Sequence, residues 1–144
     1  MIKIDGNRFV DEYGRTLMLR GVNLGGSSKV PFRPDGATWK REDFFDHRDI
    51  SFVGRPCPIE EAEEHFSRMR EWGFTFLRFL VTWEAVEHEG PGIYDREYLE
   101  YLHTIIGKSG EYGMDIFIDP HQDVWSRSGS RMVYGIPTAT VSPG

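Results

Sequence analysis

The stretch E-W-G-F-T-F-L-R-F-L-V at residues 71–81 decides the fold. A helical pattern of apolar residues ends at Trp72, and Gly73 then allows the chain to reverse tightly. Residues 74–81 follow, apolar on both faces except for Arg78. Strands that are apolar on both faces are typical of parallel sheets covered by helices. The stretch therefore predicts a helix that leads directly into a buried parallel strand.

A second copy of this pattern, E-Y-G-M-D-I, occupies residues 111–116, and the strand it opens is predicted over residues 114–118. Each copy follows a segment with apolar residues at helical spacing. The first segment begins after Pro58 and the second after Asp95, a good N-cap. The apolar positions are Ile59, Ala62, Phe66, Met69 and Trp72 in the first segment, and Tyr98, Leu99, Leu102, Ile105 and Ile106 in the second.

The chain opens with short β-structure. Residues 2–4 and 8–10 flank an Asp-Gly-Asn turn, which predicts a hairpin, and a further strand is predicted over residues 16–24. Residues 25–57 lack periodicity, and loops of this length are usually functional or disordered. Strand, helix, strand, helix, strand is the opening of a parallel α/β fold. A doubly wound sheet and a (β/α)8 barrel both fit the pattern.

Composition excludes several classes of function. A net charge of −6 argues against a nucleic-acid or anionic-membrane partner. The start of the chain lacks a signal-peptide pattern, and no apolar stretch approaches the length of a membrane span. Cys57, the single cysteine, cannot form an intrachain disulfide, and it reads as a small apolar loop residue. These features predict a cytoplasmic protein.

Ionisable residues cluster where the predicted strands end, which is where parallel α/β folds bind ligands. Arg78 interrupts an apolar strand, and a buried guanidinium needs a partner such as Asp119. That pairing could serve function or fold specificity alone, and the residues leave both interpretations open. Asp119 and His121 share a face if their strand continues through Pro120, while Asp123 follows in the loop.

Other polar and aromatic residues are weaker candidates. Trp39, Trp83 and Trp125 follow strands, and indole rings suit sugar faces, although loop anchoring is at least as common a role. A loop is predicted over residues 83–94, in which Glu84 and Glu87 lie in a loop or short helix after the second strand and suggest a solvated charged turn. The remaining histidines read as surface residues: His47, His65, His88 and His103. No nucleotide-binding motif, metal-ligand set or Ser-His-Asp spacing is evident, and no cofactor is predicted.

Four motifs stand out in the sequence: L-R-G-V-N-L-G-G-S-S-K (19–29), W-G-F-T-F-L-R-F (72–79), W-E-A-V-E (83–87) with G-I-Y-D (92–95), and I-D-P-H-Q-D-V-W-S-R (118–127). In these motifs, their order and their spacing, the chain closely resembles glycoside hydrolase family 5 over about residues 1–127. Within the family, the S-S-K and D-P-H-Q-D motifs are most similar to those of endoglycoceramidase-related enzymes, including fungal β-glucosidases that act on glucosylceramide and steryl glucosides.

The resemblance implies a (β/α)8 barrel, of which this chain holds the N-terminal hairpin and about the first three βα units. It also implies a retaining β-glycosidase. Arg78 matches an arginine that orients the nucleophile, and His121 matches a histidine that contacts the substrate. Lys29 and Asp123 match positions that hold sugar hydroxyls, and Asp119 matches a supporting carboxylate.

The family's two catalytic glutamates follow strands four and seven, so we expect both to be missing from a chain that ends after strand three. Residues 128–144 depart from the family pattern, which predicts an irregular tail and suggests a truncated gene product. The expected partner is a glycoside or glycolipid, whose lipid could bring a full-length parent to membranes. The alternatives are a non-catalytic carbohydrate- or partner-binding remnant and an unstable product.

Overall fold

The computed structural model describes residues 2–34 and 48–121. Its first element is a hairpin of β1 (Lys3–Asp5) and β2 (Arg8–Val10), which pair in antiparallel fashion around Gly6. Gly6 has φ 59°, a left-handed conformation that glycine adopts without steric cost. The predicted hairpin is confirmed. Apolar side chains of the hairpin, among them Ile4 and Phe9, are exposed.

A three-stranded parallel sheet forms the centre of the described chain. Its strands are β3 (Gly21–Leu24), β4 (Phe76–Thr82) and β5 (Asp115–His121), in that spatial order. β4 therefore pairs with both neighbours. β5 does continue through Pro120, so Asp119 and His121 lie on the same face of the sheet.

Three helices connect or follow the strands: α1 (Ile59–Glu71), α2 (Trp83–Glu87) and α3 (Arg96–Glu111). The two longer helices each end at a glycine in the left-handed region, Gly73 with φ 84° and Gly113 with φ 66°. The N–H of Gly73 donates to the carbonyl of Arg70 at 2.9 Å, and this contact satisfies one of the carbonyls left over at the helix end. The predicted helix–glycine–strand module is confirmed in both copies.

The hydrophobic core lies between the sheet and the helices. Leu77, Phe79 and Val81 alternate along β4 and are buried on the helix side. The two longer helices each bury one face in this core, at positions predicted from periodicity. These residues are Ala62, Phe66 and Met69 in α1, and Tyr98, Leu102 and Ile105 in α3. The opposite face of β4 carries Phe76, Arg78 and Leu80.

Several boundaries differ from the predicted ones. The strand predicted over residues 16–24 is confined to Gly21–Leu24, because Thr16 and Leu17 instead bond to β2 and extend the hairpin. Trp72 is exposed, since the helix face that packs on the sheet ends at Met69. Phe74 precedes β4 and packs against the core, so it does not share the face of Arg78 as its position in the predicted strand implied.

Residues 83–94 are not wholly a loop, because α2 begins directly after β4. The hydroxyl of Thr82 accepts from the N–H of Ala85 at 3.2 Å and caps the new helix. Glu84 is buried, which corrects the prediction of a solvated turn.

His88 is also buried, although it was predicted to lie at the surface. Its Nε2 lies 3.0 Å from Oδ2 of Asp95, whose other oxygen accepts from the N–H of Tyr98 and caps α3. One carboxylate therefore joins the end of α2 to the start of α3. Among the other histidines, His103 is exposed and His65 partly so, while His47 lies outside the described residues.

The described part of the long loop packs against the helices. Phe52 is fully buried, and its ring meets that of Tyr98 edge-on at 6.2 Å between centroids. Tyr101 donates its hydroxyl to the carbonyl of Cys57 at 2.7 Å. Cys57 itself is buried in the core, as its small apolar character predicted. Burial raises the pKa of its thiol to about 11.

We predict that Gly21→Ala destabilises the fold, because a Cβ at this position would lie 2.2 Å from the backbone oxygen of Phe76. Since the β3–β4 pairing must shift to admit the methyl group, the free energy of unfolding should fall by about 1–3 kcal/mol in denaturant titrations. Gly107→Ala is the matched control. It lies in α3 with nothing within 4 Å and should stabilise by about 0.5–1 kcal/mol. Equal effects of the two substitutions would contradict the strand pairing described.

Cys57 provides a second test of the core. At pH 8 the folded chain should react with iodoacetamide far more slowly than the same chain in urea, because burial keeps the thiol neutral and out of reach. The thiol has a higher pKa folded than unfolded, so its contribution to stability is complete below the unfolded pKa, near 8.5, and declines as the pH rises towards about 11. Labelling at the rate of the unfolded chain would contradict a buried Cys57.

Candidate active site

The candidate site lies on the sheet face opposite the helices. Parallel register places Asn23 of β3 beside Arg78 of β4, and residue 78 beside Phe117 of β5. Asp119 lies two residues after Phe117 and therefore shares its face, as does His121. The site is thus assembled by side-chain alternation on three neighbouring strands.

Asp119 is the centre of the cluster. Its Oδ2 lies 2.7 Å from Nη2 of Arg78 and 2.9 Å from Nδ1 of His121. The side chains of Asp119 and His121 are 18% and 19% exposed, whereas that of Arg78 is 39% exposed. The guanidinium is therefore paired with a carboxylate, as its position in an apolar strand predicted, and part of it still faces outwards.

The contact with Asp119 also orients the ring of His121. An ionised carboxylate can only accept hydrogen bonds, so Nδ1 of His121 carries a proton in this contact. The cluster brings a guanidinium, an imidazole and a carboxylate together on one face of the sheet.

The structure joins three of the predicted site residues, Arg78, Asp119 and His121, by direct contacts. Two others follow the carboxyl end of a strand: Lys29 is exposed in the turn after β3, and Trp83 begins α2 directly after β4. Asp123 and Trp125 lie outside the described residues, as does Trp39. The substrate-binding roles of all these residues remain predictions.

Within residues 2–34 and 48–121 there is no group of three His, Cys, Asp or Glu side chains that could hold a metal ion. No helix in that part of the chain is long and apolar enough to cross a bilayer.

Residues 36–140 match the family Cellulase (glycosyl hydrolase family 5). This chain belongs to glycosyl hydrolase family 5. The matched range includes Arg78, Asp119 and His121, and it extends beyond residue 127, where we predicted the family region to end. That domain boundary lies outside the described residues and stays a prediction.

Relatives within glycosyl hydrolase family 5 are much longer than this chain. A glucosylceramidase of Rhizopus delemar is 55% identical over 129 residues, which are 88% of this chain and 19% of the relative. The chain thus spans about a fifth of the length of that curated relative. It is consistent with a fragment of a larger family member.

Solved structures confirm the barrel family. Sterylglucosidase 1 of Cryptococcus neoformans, solved with tris, superposes with a TM-score of 0.74 at 40% identity, covering 83% of this chain and 17% of that one. Endo-glycoceramidase II from Rhodococcus sp., solved as a lactosyl-enzyme intermediate, superposes with a TM-score of 0.53 at 31% identity, covering 78% and 21%. The hairpin and the three parallel strands are therefore a piece of a (β/α)8 barrel, which decides between the two folds that the pattern left open.

One residue of the cluster was not among the predicted site residues. Asn23 accepts a hydrogen bond from Nη1 of Arg78 at 3.3 Å. The sequence places Asn23 at the end of the first predicted parallel strand. Its contact with Arg78 could not be predicted from the sequence, because that contact depends on the β3–β4 register.

We predict that Asp119→Ala destabilises the chain by about 1–2 kcal/mol, because it leaves the Arg78 guanidinium without its carboxylate in a partly buried position. The partial exposure of Arg78 keeps the effect below that of a fully buried pair. The measurement is the free energy of unfolding in denaturant.

Asp5→Ala is the control for this substitution. It removes an exposed carboxylate 3.9 Å from Arg8 and should change stability by less than about 0.5 kcal/mol. In an Arg78→Met background, Asp119→Ala should cost less than in the unmodified chain. An unchanged cost in that background would show that the two side chains are not coupled.

Proposed function

We propose that this chain forms part of a retaining β-glycosidase that hydrolyses β-glucosides of lipids, with glucosylceramide and steryl glucosides as the substrate class. The observation that carries the proposal is the Arg78–Asp119–His121 cluster, in which Arg78 reaches from within β4 to Asp119 and His121 in the carboxyl-terminal half of β5. Ligands of (β/α)8 enzymes bind at that end of the barrel. The names of the relatives, glucosylceramidase, sterylglucosidase and endo-glycoceramidase, support the substrate class.

The retaining mechanism requires a glycosyl–enzyme intermediate and two carboxyl groups about 5–5.5 Å apart. The lactosyl-enzyme intermediate of the Rhodococcus relative supports this chemistry. In the cluster described here, Asp119 is occupied by a cation and a histidine, so it is poorly suited to donate a proton to a leaving group. We propose that the acid and the nucleophile are glutamates supplied by other parts of the protein.

The described residues would then bind and orient the reacting groups, and would not themselves break the glycosidic bond. The partly exposed Arg78 supplies a permanent positive charge, which would keep the proposed glutamate nucleophile ionised. His121 contributes to the sugar site, while Asp119 holds the orientation of its ring. Lys29, Asp123, Trp83 and Trp125 complete the sugar site. A cytoplasmic location is part of the same proposal.

A second candidate function is carbohydrate binding without catalysis. The cluster favours it because binding a sugar needs polar groups and aromatic faces but no catalytic pair. Sugar-dependent stabilisation of the chain in the absence of turnover would be its signature.

We predict that the 144-residue chain alone does not hydrolyse an aryl β-glucoside, because Asp119 is ion-paired and the acid and nucleophile are the glutamates that we propose lie in other parts of the protein. The measurement is release of the aryl group above the buffer rate. Turnover that Arg78→Lys abolishes would contradict the absence of the catalytic glutamates from this chain.

The activity itself is tested on a longer product of the same gene that contains these residues. It should hydrolyse glucosylceramide or a steryl glucoside, and Arg78→Lys should lower kcat/KM by about tenfold or more, since lysine lacks the planar fork. Arg8→Lys, at the exposed hairpin, is the matched control and should leave kcat/KM unchanged. A longer product that binds these lipids but turns none over would favour the binding function.

A further inference from the structure

The two amino groups of the Arg78 guanidinium point to different strands. Nη1 donates to Oδ1 of Asn23 on β3 at 3.3 Å, while Nη2 lies 2.7 Å from Oδ2 of Asp119 on β5. β4 lies between these two strands, so the guanidinium bridges the sheet from one side to the other. The contact with Asn23 is not explained by pairing of the charge, because an amide carries none.

We propose that Asn23 is a positioning residue that fixes the orientation of the Arg78 guanidinium. The use of that orientation by a substrate rests on the proposed function, but the positioning itself does not. A guanidinium and a carboxylate commonly pair through two parallel N–H···O bonds. Here Nη1 contacts Asn23 on β3 and Nη2 contacts Asp119 on β5, so Asn23 favours an orientation in which the two amino groups face different strands over one in which both face Asp119.

This arrangement has a consequence for His121. Oδ2 of Asp119 accepts from His121 at 2.9 Å as well as from Arg78. If Arg78 rotated and donated hydrogen bonds to both carboxylate oxygens of Asp119, it would compete with Nδ1 of His121 for Oδ2. Asn23 therefore maintains the shared contact on which the orientation of His121 depends.

The chemistry of the amide explains why asparagine suits this position. Its oxygen satisfies an N–H of the guanidinium without bringing a second negative charge. A carboxylate at position 23 would hold the same N–H but would neutralise part of the field of Arg78. An aliphatic side chain of the same size would leave Nη1 without this acceptor and free the guanidinium to rotate.

The experiment is nitrogen NMR of the guanidinium groups in the labelled 144-residue chain, with Arg78 assigned through Arg78→Lys. In the unmodified chain the Nη1 and Nη2 signals of Arg78 should be separate, because two partners on different strands slow rotation about the Nε–Cζ bond, which exchanges the two nitrogens. Asn23→Leu, which keeps the volume and removes the acceptor, should speed this rotation by about tenfold or more and merge the signals. Asn23→Asp, which keeps the acceptor, should leave them separate.

Arg15, which pairs with Asp11 in the hairpin, is the internal control, and its signals should be the same in every variant. If Asn23→Leu does not fold, as judged by fast alkylation of Cys57, Asn23→Ala, which also lacks an acceptor, takes its place with the same expected faster rotation. Separate Arg78 signals in a folded variant without the amide would overturn the proposal, as would merged signals in the unmodified chain. Neither outcome depends on glycosidase turnover, so the proposal can fail while the proposed function stands.

Discussion

The charge of Arg78 in the central strand is the constraint on which the rest of the described site depends. β4 carries buried apolar side chains towards the helices, and the guanidinium projects from the other face. The side chain is 39% exposed, so its charge is only partly desolvated, and close polar partners offset that cost. Those partners come from both neighbouring strands, Asn23 on one side and Asp119 on the other. Removing either strand would therefore remove one of the two polar contacts of the guanidinium.

The same constraint links the register of the sheet to the chemistry of its edge. Asp119 pairs in register with Leu80, two residues beyond Arg78, so the long arginine side chain leans along the sheet to reach it. A slip of one residue in β5 would turn Asp119 and His121 to the helix side and bring Ile118 and Pro120 to the site face. The ion pair is thus evidence for the register, and the register is the reason that the two polar residues meet the arginine.

The features that could be predicted from the sequence depend on local periodicity and on glycine. Spacing of apolar residues identified α1 and α3, and Gly73 and Gly113 marked where they end. Features that depend on tertiary contacts were predicted less well. A short helix was only one of two alternatives for the segment of α2, because this single turn is too brief to show a period and its capping by Thr82 depends on where β4 ends. His88 is buried because Asp95 is already placed by α3, and no pattern in the sequence near His88 reveals that.

The Arg78–Asp119 pair was predicted from the cost of an unpaired charge, whereas the amide of Asn23 was not, and the difference has a physical cause. A charge within an apolar strand requires a partner, and only a few residues in the sequence could supply one. A neutral acceptor at the end of a strand does not point to any partner, because solvent can satisfy it equally well. Its importance appears only when the register sets it beside Nη1 of Arg78. In parallel sheets, residues that orient a charged group are therefore best sought at the register position next to it, on the strand opposite its counter-ion.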